Sequence, residues 1–170
     1  MIKSYKEIFV GLVKNASKND KTIKIWKDTL FEYIKYTNNT NKGYLAEKFL
    51  EIIFSDLDYV VKKEDYKHTH YDLIVNGKKI EVKLATLDTN NNFQFNGLNP
   101  KYHFDLLFLL GVEPNDLWFI LIKKENINLN KLVSMNPKST TSYKYTLNKK
   151  QILNIDEIKT YIKINYLFFT

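Results

Sequence analysis

Cysteine is absent from the 170 residues, which removes disulfides, thiolate catalysis and cysteine-based zinc sites. Arginine is absent too, so all 26 basic residues are lysines. Recognition through a bidentate guanidinium is therefore excluded, and Lys, Asn, Gln or backbone groups must serve instead. No window approaches the ~18 consecutive apolar residues of a membrane span, so no membrane partner is expected. The opening MIKSYKEIFVGLVKNAS lacks the apolar core and small-residue cleavage site of a secretory signal. A cytoplasmic location is expected.

What remains is a globular composition, with 44% hydrophobic and 15% aromatic residues. The length suits a single domain over 1–170 with one substantial core. The formal net charge of +7 fits a polyanionic partner. It fits a solvated lysine surface equally well, because Lys, Asn and Ile together are the residues an AT-rich coding sequence enriches.

Apolar spacing predicts amphipathic helices over 2–14 and 21–37 and a third from about Gly43 to Ser55, with a break at TNNTNKG (37–43) between them. Strand-like runs follow at Asp58–Lys63, Tyr71–Val75, Lys79–Ala85, Phe104–Leu110 and Leu117–Ile122. FDLLFLLGV is almost wholly apolar, as expected of a strand covered on both faces. Residues 124–147 read as irregular and 148–165 as a closing helix. The order predicts a three-layer α/β domain, a central mixed sheet flanked by helices. It divides into an N-terminal helical extension (1–42), a core (43–123) and a C-terminal loop and helix (124–170).

The stretch HYDLIVNGKKIEVKLA (70–85) carries the chemistry. Asn76-Gly77 is a strong two-residue turn signal, and its register pairs Val75 with Lys78, Ile74 with Lys79, Leu73 with Ile80 and Asp72 with Glu81. Tyr71, Leu73, Val75, Ile80, Val82 and Leu84 fall on one apolar face; His70, Asp72, Ile74, Lys79, Glu81 and Lys83 fall on the other. Opposed carboxylates repel. Two readings account for them. In one, the face is solvated and Lys79 and Lys83 neutralise the acids. In the other, two hard oxygen donors and the Val82 backbone carbonyl hold a divalent cation such as Mg²⁺.

Asp72 followed by Glu81-Val82-Lys83 on the next strand resembles the PD-(D/E)xK nuclease superfamily, with its restriction-endonuclease-like fold. KGYLAEKFLEIIF resembles that family's first core helix, whose glutamate supports the metal site; Glu47 matches that position, with Glu51 its rival one turn later. The resemblance covers about residues 43–123. It departs from the family pattern in having Tyr71 where a proline usually precedes the aspartate, and 86–103 leaves room for only a short helix after the Glu-x-Lys strand.

The resemblance implies a Mg²⁺-dependent DNA endonuclease, with Mn²⁺ as a substitute, closest in kind to a small type II restriction enzyme acting on double-stranded DNA. Asp72 and Glu81 would hold metal with the Val82 carbonyl, Glu47 would assist directly or through water, and Lys83 would act on the attacking water. It further implies a homodimer and a cognate DNA methyltransferase encoded nearby. Two alternatives stand beside it: a structure-selective nuclease of the Holliday-junction or repair type, and a DNA-binding module on a decayed nuclease fold. Candidate DNA contacts are His70, Gln94, Asn96, Asn99, Lys101, Lys138 and Lys144, each with a purely structural reading as an ordinary surface or turn residue. His68, His70 and His103 are the only histidines and are read as surface or phosphate-contacting residues rather than a zinc site.

Overall fold

A computed structural model describes residues 4–16, 26–63, 70–136 and 141–165. In chain order the elements are α1 (Tyr5–Ala16), α2 (Asn39–Ser55), β1 (Val61–Lys62), β2 (Leu73–Val75), β3 (Lys78–Thr86), β4 (Asn92–Leu98), β5 (Leu106–Val112), β6 (Leu117–Lys123), β7 (Leu132–Ser134), β8 (Tyr143–Asn148), β9 (Leu153–Asn154) and α3 (Ile158–Ile164). Six strands form a central mixed sheet in the order β1-β2-β3-β5-β6-β9, and three more form a second sheet in the order β4-β8-β7.

The central strand β5 is buried along its whole length, as its unbroken apolar run requires. It runs parallel to β3 and antiparallel to β6. Even-numbered residues of β3 and β5 pack against the helices: Ile80, Val82, Leu106, Phe108 and Leu110 join Phe49, Leu50 and Ile53 of α2 and Phe9 of α1. On the opposite face Leu107 and Leu109 meet Phe93, Phe95 and Leu98 of β4 and Tyr145 and Leu147 of β8. The domain thus has three layers, as expected. Its second outer layer, however, is a small sheet instead of helices.

That difference traces to residues 86–103. The segment NFQFNGL alternates apolar and polar, and alternation favours a strand over a helix. β4 therefore carries the chain from β3 to β5 across the sheet face that a crossover helix would otherwise occupy. The packing there is close. A Cβ built on Gly111 of β5 would lie 2.8 Å from the Phe93 ring, so glycine is what lets β4 settle on the sheet.

Other boundaries moved as well. α2 begins at Asn39, inside the expected break, because Asn38 caps it by accepting a hydrogen bond from the Asn41 N–H at 2.8 Å. Residues 26–37 contain turns and a 3-10 helix at Glu32–Tyr36 instead of a continuous α-helix. Phe31 N–H donates to the Pro114 carbonyl and Leu30 N–H to Asn115 Oδ1, tying this segment to a distant turn. The irregular stretch 124–147 contains β7 and much of β8. The closing helix shrinks to α3, preceded by 3-10 turns and β9. Among the described residues no helix is long and apolar enough to cross a membrane.

Candidate active site

The site lies where β2 stops pairing and β3 continues. Asn76 and Gly77 both adopt positive φ, 46° and 85°, as a tight hairpin turn requires. The predicted register holds through Val75↔Lys78, Ile74↔Lys79 and Leu73↔Ile80. It then breaks. Asp72 N–H donates to the Ile80 carbonyl at 2.9 Å, one residue short of the expected partner, and Asp72 Oδ2 accepts from the Val82 N–H at 2.7 Å. The expected ladder pairing of Asp72 with Glu81 is therefore replaced by a bend. The carboxylate occupies the place where a neighbouring strand would bond β3.

Among the described residues this break leaves the edge of β3 beyond Ile80 without a strand on its β2 side, and a cleft of about 330 Å³ opens beside it. Its wall includes Glu47, Asp72, Val82, Lys83 and Asn96, residues far apart in the chain. α2 supplies Glu47, buried within an otherwise apolar helix face and ion-paired to Lys63 at 3.0 Å. Glu51 points its carboxylate to Lys48 at 2.9 Å and does not line the cleft, which separates the two glutamate candidates. Glu81 is buried at 4% exposure, and Lys83 Nζ donates to its Oε1.

Charge is crowded here. Burial first, and then the Glu81 carboxylate beside it, raise the Asp72 pKa from 3.8 to about 7, against the opposing pull of Lys83 and the Val82 hydrogen bond. Burial alone would lower Lys83. The carboxylates of Glu81, Asp72 and Glu47 outweigh it and hold the ammonium above its usual value. Among the described residues no three acids or histidines stand close enough to enclose a metal ion by themselves. Asp72, Glu81 and the Val82 carbonyl suit the hard-oxygen chemistry of Mg²⁺, which keeps waters and substrate oxygens in the rest of its shell. The Glu81 repulsion that adds to burial in lifting Asp72 is what a bound cation would relieve.

The other candidates divide. Asn96 lines the cleft, and Gln94, exposed one pleat away, donates from Nε2 to Asn96 Oδ1 at 3.2 Å. Asn99 is buried and its side chain accepts from the Lys101 N–H at 3.0 Å, a turn-holding bond rather than a surface contact. Lys101 is exposed, and Lys144 is half-buried across from Val133. His70 is not carried onto the carboxylate face, because the ladder ends at Leu73. Its ring stacks instead on Tyr102, with centroids 4.4 Å apart, and on His103 at 5.4 Å. Lys138 and His68 lie outside the described residues. Sequence reading missed Asn39, Lys42, Met135 and Ser142, all of which line the cleft. The first two stood inside the supposed break, and the capping residue Asn38 was the signal that a helix begins there.

No protein-family model matches the chain, and no curated protein matches it in sequence. Among solved structures it is similar to the bacterial homing endonuclease I-Ssp6803I, with 18% identity and a TM-score of 0.46 over 65% of this chain and 75% of that one.

Proposed function

We propose that this protein is a Mg²⁺-dependent DNA endonuclease of the type II restriction kind, with Mn²⁺ able to substitute. The observation that carries the reading is the gathering of Glu47, Asp72, Val82 and Lys83 on one cleft, with Glu81 buried against Lys83. Asp72, Glu81 and the Val82 carbonyl would hold the cation, with Glu47 in support. When bound, the cation supplies positive charge at the scissile phosphate. The chain's own residues do the rest. Lys83, held as an ammonium, orients the attacking water and balances charge on the phosphate. Glu47, fixed by Lys63, adds its carboxylate to the cleft that Asp72 lines. Asn96, with Gln94 behind it, offers amide groups to the bound strand.

Restriction enzymes of this kind cut both strands as homodimers and are accompanied by a methyltransferase; both partners belong to this reading. The test is incubation of plasmid DNA with the purified protein in Mg²⁺ or in EDTA. Discrete fragments in Mg²⁺ alone, abolished by Glu81→Ala, are expected. Intact DNA under all divalent-ion conditions, or undiminished cutting by Glu81→Ala, overturns the reading. Cutting confined to four-way junctions reassigns it to the structure-selective class.

A further inference from the structure

Lys42 is the one cleft-lining charge among the described residues to which no ion pair or side-chain hydrogen bond belongs. Glu47 has Lys63, Lys83 has Glu81, and Asp72 has the Val82 N–H. Lys42 sits in the first turn of α2, half-buried, with only its backbone engaged, through the Asn38 carbonyl. Burial draws its pKa below the usual lysine value. Lys35 stands near enough for the charge of Lys42 to add to the lowering that burial causes there. The Lys35 ammonium is itself fixed, donating to Thr86 Oγ1 at 2.8 Å and lying 4.6 Å from the centroid of the Trp26 ring.

Among the described residues neither ammonium is ion-paired to a carboxylate, and two like charges in a partly desolvated place favour an anion beside them. Position indicates which anion. Lys42 precedes Glu47 by five residues on one helix, about 7.5 Å of axial rise. A nucleic-acid strand presents a phosphate every ~3.4 Å of helix axis, so the separation is about two nucleotide steps. Thr86 lies on β3 three residues beyond Lys83, so Lys35 is tied to the strand that carries the candidate catalytic lysine.

We propose that Lys42 binds a second backbone phosphate of the DNA strand, about two steps from the one attacked, and that Lys35 is a positioning residue that supports this subsite through its charge. The proposal rests on the endonuclease reading. It gives the acidic end of the cleft a basic counterpart: the carboxylates take the cation, and Lys42 fixes the register of the strand before them. Lysine suits the task, since a point charge on a flexible stem needs no planar alignment with the phosphate.

The experiment measures binding of a fluorescein-labelled 30-base-pair duplex by anisotropy in EDTA, over a salt series, for the wild-type chain, Lys42→Gln, Lys42→Arg and Lys35→Gln. Cleavage of plasmid in Mg²⁺ runs in parallel. For Lys42→Gln the slope of log affinity against log salt should shrink by about one, with a roughly five- to tenfold loss of affinity at low salt. Lys42→Arg should restore the slope, and Lys35→Gln should weaken binding less. A Lys42→Gln protein that binds with wild-type slope, or loses affinity without a change in slope, overturns the proposal while wild-type cleavage keeps the endonuclease reading intact. A wild-type protein that neither binds nor cuts DNA overturns both.

Discussion

Asp72 Oδ2 accepts the backbone N–H of Val82 at 2.7 Å, so a side chain performs the bond that the next residues of β2 would have made. The bond fixes the carboxylate at the edge of β3 and holds it near Glu81. Burial, and then Glu81, raise the pKa of this carboxylate in spite of the bond, and its removal can be tested without touching the apolar core.

Asp72→Asn keeps an acceptor for the Val82 N–H and removes one of two crowded charges. The metal-free variant should be more stable than wild type at pH 8 by roughly 1–4 kcal/mol; the upper figure follows from the move of 3.8 to about 7 at about 1.4 kcal/mol per tenfold change in proton affinity. Urea unfolding in EDTA measures it. The same variant should cut no DNA. A variant that unfolds would mean that the carboxylate is structural.

The pH dependence has a definite sign. Asp72 holds its proton in the folded protein to about pH 7, whereas the unfolded chain releases it near 3.8. The folded state binds the extra proton between those values, so its contribution to stability is full below about pH 4 and is lost as pH rises through 7. The stability difference between Asp72→Asn and wild type should therefore widen from pH 4 to 7 and then level off. A difference that is flat over that range contradicts the assignment.

Addition of Mg²⁺ should reverse the trend, because a cation bound only by the folded state stabilises it. At a hundredfold excess over the dissociation constant the gain is about 2.7 kcal/mol. Thermal unfolding at pH 8 should show a rise in Tm for wild type and little or none for Asp72→Asn or Glu81→Gln.

Gly111→Ala tests the small sheet that stands where a flanking helical layer was expected. The added Cβ would meet the fully buried Phe93 ring at 2.8 Å, and such overpacking costs about 1–3 kcal/mol. A fall in Tm of several degrees is expected, with Phe93→Leu as a second substitution that relieves it. An unchanged Tm would show that β4 does not press on β5.

The sequence made the hairpin legible because its turn and period-two pattern are local. Val75↔Lys78 through Leu73↔Ile80 appear as expected. The bend at Asp72 was not legible, since it depends on a side chain outcompeting the ladder for one N–H. Phe93, Phe95, Tyr145 and Leu147 carried the alternation of β4 and β8, but their strands pair across some fifty residues and offer no local turn to announce them. The helix expected over 21–37 gives way at its described end, where Phe31 and Leu30 bond to Pro114 and Asn115, a distant tie that periodicity does not register. Glu47 was placed by resemblance, and its burial beside Lys63 distinguishes it from Glu51.

The early end of β2 also bears on how copies of this protein avoid pairing edge to edge. An uncovered strand edge invites pairing with a second molecule, and charges set along it are a common deterrent. Here Asp72 blocks the Val82 N–H directly, while Lys83 and Glu47 line the cleft beside it. Asp72→Ala would unplug that edge as well as empty the candidate site. Such a protein should gather into aggregates from which Asp72→Asn is spared, so solubility alone can separate the plug from the ligand.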